Sequence, residues 1–108
     1  MQLASLSEMV KGWFVGDFTP TVFQTQAAEV AIKYYRAGDT EAWHVHRVGT
    51  EITAVVSGTV RMADRTFGAG AIIRLDPGEG TSFLAIEDAI TVVVKVPSVR
   101  GDKYLAGE

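Results

Sequence analysis

The stretch Gly38 to Gly58, GDTEAWHVHRVGTEITAVVSG, holds both histidines of the chain, His44 and His46, with Glu51 shortly after them. Side chains two apart in a strand point to the same face, so the two imidazoles project together. Glu51 follows the turn Val48-Gly49-Thr50 at the start of the next antiparallel strand. Its carboxylate then stands opposite the histidine pair if the register matches. On these residues alone two readings are open. An H-x-H pair on a solvated strand face is ordinary. Two imidazoles and a carboxylate converging inside a barrel are instead a facial site suited to iron, manganese, nickel, zinc or copper. The flanks weigh toward the second reading. Trp43 and Val45 take the opposite face, and Ile52, Ala54 and Val56 alternate with Thr53, Val55 and Ser57, so both faces of the Glu51 strand are largely covered. Ionisable groups buried there need a partner, and a cation supplies one.

Outward from this stretch the chain reads as strands. Glu29 to Arg36 alternates, with Val30, Ile32 and Tyr34 on one face and Glu29, Ala31, Lys33 and Tyr35 on the other. Trp43 to Val48 and Glu51 to Ser57 follow, then Thr59 to Met62 and Arg65 to Phe67 around an Ala63-Asp64 hairpin. Ala71 to Leu75 ends at the turn Asp76-Pro77-Gly78, and Thr81 to Ala85 and Ala89 to Val96 are joined at Glu87-Asp88. Short strands spaced by turns, with no helix among them, indicate an antiparallel sandwich or barrel. Before them, Ser5-Leu-Ser-Glu8 fits a capping box, and Leu6, Met9, Val10 and Trp13 form the stripe of a short N-terminal helix.

Composition narrows the function classes. The chain has 108 residues, 47% hydrophobic and 21% charged, which suits one folded domain. Its net charge is −3, and its basic residues are scattered, which argues against nucleic acid as a partner. With no cysteine, only His, Asp and Glu remain as strong metal ligands. The apolar runs are strand-length, and the N-terminus lacks the basic start and apolar core of a signal peptide, so no membrane association and a cytoplasmic location are expected.

At this point the residues resemble the cupins. The first motif of that family is a glycine, five residues, His-x-His, three or four residues, a glutamate, six residues and a glycine. Here Gly38, His44, His46, Glu51 and Gly58 stand at all of those positions. The resemblance runs from about Val30 to Val96 and implies an all-β fold, a double-stranded β-helix or jelly-roll barrel with the site inside. One domain over residues 1–108 is expected, with a helix and arm over 1–28, the barrel over 29–97 and a tail over 98–108. Arg100-Gly101-Asp102 in that tail is assigned no function.

The second cupin motif runs from a glycine through an apolar strand to a proline-glycine turn and then a histidine. Gly70 to Gly78 follows that outline, with Asp76 in place of a proline, but the histidine position holds Thr81. The resemblance therefore implies a divalent transition metal (iron, manganese, nickel or zinc) held by His44, His46 and Glu51, with Thr81 orienting a water and Glu79 as a further candidate ligand. The alternative is a metal-free barrel that binds a small ligand such as a sugar or carboxylate. Metal cupins include dioxygenases, isomerases, lyases, decarboxylases and binding proteins, and the fold does not choose among them. Tyr34, Arg36, Thr53 and Arg74 are the remaining cavity candidates, the arginines as holders of an anionic small molecule. A homodimer is expected, built on the apolar segment with Trp13, Phe14, Phe18 and Phe23.

Overall fold

Eleven strands carry the chain through two facing sheets. They are β1 (Trp13–Gly16), β2 (Phe23–Gln24), β3 (Glu29–Tyr35), β4 (Thr40–Val45), β5 (Thr50–Ser57), β6 (Val60–Met62), β7 (Arg65–Phe67), β8 (Ile72–Leu75), β9 (Thr81–Ala85), β10 (Ala89–Val96) and β11 (Tyr104–Leu105). The structure, a computed structural model, describes every residue from Met1 to Glu108. One sheet runs β2-β1-β3-β10-β5-β8 and the other β11-β4-β9-β6-β7, and all pairings but β1 with β2 are antiparallel. No helix is long and apolar enough to cross a membrane.

The interior is graded from end to end. Val55, Val60, Met62, Ile73, Leu75, Phe83, Ala85 and Ala89 form an apolar plug at one end. Individual strands cross from that plug to a polar end in two-residue strides: Val55, Thr53, Glu51 along β5, and Phe83, Thr81 along β9. Burying a polar group without a partner costs free energy, so these side chains collect where a cavity gives them something to meet. The central strand β10 is apolar on both faces, with Ala89, Thr91 and Val93 buried inside and Ile90, Val92 and Val94 half-buried outside.

One expectation about the ends of the chain is corrected. The N-terminal helix is only a 3-10 turn over Leu6–Glu8, and the Ser5 hydroxyl meets that of Ser7 instead of capping a backbone N–H. Left-handed backbone at Lys11 (φ 52°) and Gly12 (φ 84°) turns the chain back, so Trp13 enters β1 and pairs with Ala31. A helix of one or two turns is marginal by itself, and the hydrogen bonds of a sheet edge outweigh its amphipathic stripe. The last residues are equally structural: β11 pairs with β4, Ser98 and Asp102 are buried, and both ends of the chain extend the sheets.

Candidate metal centre

His44, His46 and Glu51 meet at the polar end, each offering one ligand atom, all within 4.8 Å of one another. The chain brings them there differently from the hairpin suggested by their spacing. His44 lies on β4 in one sheet and Glu51 on β5 in the other, so the carboxylate faces the histidines across the barrel. His46 stands just beyond β4, in the crossing that carries the chain between sheets. A bulge between Glu41 and His44 shifts the register against β9. That shift lets an odd-numbered and an even-numbered residue of one strand share the cavity wall.

Both imidazoles are oriented by backbone. The Nδ1 of His44 lies 3.1 Å from the Ala42 carbonyl, and that of His46 meets the carbonyl of Asp102. A carbonyl only accepts, so each Nδ1 carries a proton, and Nε2 is the ring nitrogen left to face the site. The His46 Nε2 is buried, has no hydrogen-bond partner, and lies 3.6 Å from a Glu51 oxygen. An orphaned buried nitrogen of this kind, beside a second imidazole and a carboxylate, fits a divalent transition metal.

The electrostatics agree with that donor set. Burial holds the His44 imidazole below its ordinary value, outweighing the Ala42 carbonyl and the Glu51 charge, so the ring is neutral near pH 7. Burial pushes the Glu51 carboxyl up, but the His46 ring, the Lys95 charge and His44 together bring it below its ordinary value. The group is an ionised carboxylate, as a ligand must be.

His46 depends on the tail. The Asp102 carboxylate accepts the backbone N–H groups of Arg47 (2.9 Å), Val48 (3.1 Å) and Gly49 (2.8 Å), wrapping the turn that follows the histidine. Burial raises the Asp102 carboxyl, and the N–H groups of Gly49, Arg47 and Val48 outweigh it, leaving the group below its ordinary value. From the other side, the Gly78 N–H donates to the His46 carbonyl at 2.8 Å.

The other expected residues divide. Thr81 is buried directly opposite His44, but its hydroxyl accepts the Ala63 N–H at 2.8 Å and donates to the Ser82 carbonyl at 2.6 Å. Both of those contacts are to the backbone. Thr53 is buried in the cavity wall. Tyr34, Arg36, Arg74 and Glu79 lie outside the cavity. Tyr34 is 68% exposed because β3 turns its other face inward; Arg36 is exposed; Arg74 pairs with Asp76 at 2.7 Å; and Glu79 closes its own turn onto the Asp76 N–H.

Facing the site instead are Lys33, Tyr35 and Glu41, with the Tyr35 hydroxyl donating to Glu41 at 3.0 Å and the Lys33 ammonium 3.9 Å from the same carboxylate. Burial and the Glu41 charge push the Tyr35 phenol up, so it stays protonated. The shared parity of Ala31, Lys33 and Tyr35 was the available signal for this wall. No local pattern marks Asp102.

No protein-family description matches the sequence, and no curated protein matches it. Solved structures do. An uncharacterized conserved protein with a double-stranded β-helix domain from Klebsiella pneumoniae is 24% identical, with a TM-score of 0.74 over 99% of this chain and 93% of its own. An RmlC-like cupin from Shewanella frigidimarina is 18% identical, with a TM-score of 0.63 over 72% of each chain. Oxalate decarboxylase from Bacillus subtilis is 17% identical, with a TM-score of 0.64 over 75% of this chain and 24% of its own.

Proposed function

Starting from the cupin fold, which this chain shares with those structures, we propose that the protein holds a divalent transition metal on the Nε2 atoms of His44 and His46 and an oxygen of Glu51, with a small molecule bound beside it. The observation that carries this reading is the His46 Nε2, buried without a hydrogen-bond partner 3.6 Å from a carboxylate oxygen. Three protein ligands leave coordination positions open, and a metal so held polarises an oxygen of a bound molecule as a Lewis acid. Iron, manganese, nickel and zinc all accept two imidazoles and a carboxylate. The chain's own part is to present two pre-oriented imidazoles and an ionised carboxylate, with His44 and Glu51 at the polar end of the cavity, His46 beside them, and Thr53, Tyr35 and Glu41 on the cavity walls.

Metal analysis of protein purified without an affinity tag tests this. Near-stoichiometric iron, manganese, nickel or zinc that is absent from His44→Ala is the expected result. Protein that carries none of them and takes up no added divalent ion contradicts the reading.

We also propose that the protein is a homodimer. Trp13 and Phe18 pack edge to face within the chain at 6.4 Å. The support therefore shifts to Val10, Val22 and Phe23, apolar side chains left exposed. Sedimentation at several concentrations giving only the mass of one chain would remove it.

A further inference from the structure

The chain has four lysines, Lys11, Lys33, Lys95 and Lys103, and all four line the cavity beside His44 and Glu51, of about 450 Å³. Its six arginines are all exposed and none lines that cavity. In a chain of net charge −3 this is a segregation of charge, and four separate parts of the fold produce it. Lys11 comes from the left-handed turn before β1, Lys33 from β3, Lys95 from β10 and Lys103 from the tail, next to the Asp102 that holds the turn after His46.

The lysines are only partly neutralised. Lys33 stands 3.9 Å from Glu41 and Lys95 3.4 Å from Glu29, while Lys11 and Lys103 are ion-paired to no carboxylate. The Lys33 and Lys95 ammonium groups both lie over the Trp13 ring, at 5.1 Å and 4.8 Å from its centroid. Burial lowers the affinity of Lys33 for its proton, Glu41 works against that, and the charges of Lys95, Lys11 and Lys103 lower it further. Four ammonium groups against the Glu41 and Glu51 carboxylates leave an excess of positive charge in this wall, which stabilises a cavity that holds an anion.

A second observation lies in the same wall. The Thr91 hydroxyl is fully buried, lines the cavity and has no hydrogen-bond partner. Fully buried hydroxyls are normally paired, so this one is an unsatisfied polar atom set in the cavity wall. Part of the remaining wall is apolar, with Trp13, Met62, Phe83 and Val93 beside the polar Thr40, Glu41, Glu51, Thr53 and Thr81, and that part suits a carbon skeleton rather than a bare inorganic ion.

We infer that this cavity binds a small organic acid, its carboxylate oxygens held by the lysines and its carbon body against the apolar wall. The inference deepens the metal reading, since the same cavity serves both, but the lysine frame belongs to the chain whether or not a metal is bound.

Calorimetric titration of succinate tests it, against metal-free and Mn(II)-treated protein, with succinamide and inorganic phosphate as comparison probes. Saturable succinate binding that weakens with added salt is expected, with succinamide failing to bind. Replacing Lys33 and Lys95 together by Met keeps their stems over Trp13 and should raise the succinate Kd by about tenfold or more, the equivalent of one charged hydrogen bond. Mn(II) uptake should be retained in that variant. Lys11→Gln/Lys103→Gln changes two exposed residues, leaves the fold intact and should weaken succinate in the same direction. Failure of Mn(II) to bind removes the metal reading alone, and the metal-free titration then decides this one. The inference is overturned if succinate saturates neither form, if succinamide binds equally well, if phosphate binds and succinate does not, or if both lysine pairs can be removed without effect.

Discussion

Replacing Asp102 by Ala removes a carboxylate that holds three backbone N–H groups, those of Arg47, Val48 and Gly49, at 2.9, 3.1 and 2.8 Å. A hydrogen bond to a charged group contributes about 1.5–3 kcal/mol. Three bonds on one carboxylate do not add in full, because water can replace it at the exposed Arg47 and Val48 but not at the buried Gly49. The expected loss is therefore about 3 kcal/mol, between one bond and two. For a chain of this length the entropy of unfolding converts that to a fall in Tm of about 13 °C. Asp102→Asn keeps one accepting oxygen without the charge and should lose about half as much.

The same carboxyl makes the effect pH-dependent. Its folded pKa lies below the ordinary 3.8, so its contribution is present above that value and is lost as pH falls through the folded value. Thermal melts of the three proteins at pH 7 and pH 3 measure both effects, and the difference between parent and Asp102→Asn should shrink at the lower pH. The turn also carries His46, so loss of its support should weaken metal uptake by about ten- to a hundredfold. A metal-free Asp102→Ala that melts within about 2 °C of the parent at pH 7, a shift worth under 1 kcal/mol, would refute the reasoning.

The His44 imidazole, held neutral by burial, should titrate by NMR in metal-free protein with a midpoint below 6.5. Its folded pKa is depressed, so it should cost stability as pH falls below 6.5, and a midpoint at or above that value contradicts the burial argument. The two glycines that frame the histidine stretch should differ. A Cβ at Gly58 would stand 2.1 Å from the Asp88 carbonyl oxygen on left-handed backbone, whereas Gly38 is left-handed with nothing within 4 Å. Gly38→Ala should cost only the conformational strain, about 1–2 kcal/mol, and Gly58→Ala clearly more; equal costs in denaturant unfolding would count against the packing explanation.

What the sequence determined by itself was whatever depends on stride and local chemistry. The alternation in Glu29–Tyr35 and Ala89–Val96, the turn at Asp76-Pro77-Gly78 and the glycine frame around His44, His46 and Glu51 each state a local preference that the fold keeps. Those preferences sufficed for an all-β barrel and for the three side chains that meet in it. The stripe from Leu6 to Trp13 states a local preference too, and there the sheet edge overrode it. Everything that depends on which sheet receives a strand was left to the tertiary structure. Glu51 reaches the histidines from the opposite sheet; Asp102, far along the chain, holds the turn beside His46; and Lys11, Lys33, Lys95 and Lys103 converge from four separate segments. Spacing is a property of neighbours in the chain, whereas a cavity is made by residues that only the closing of the barrel brings together.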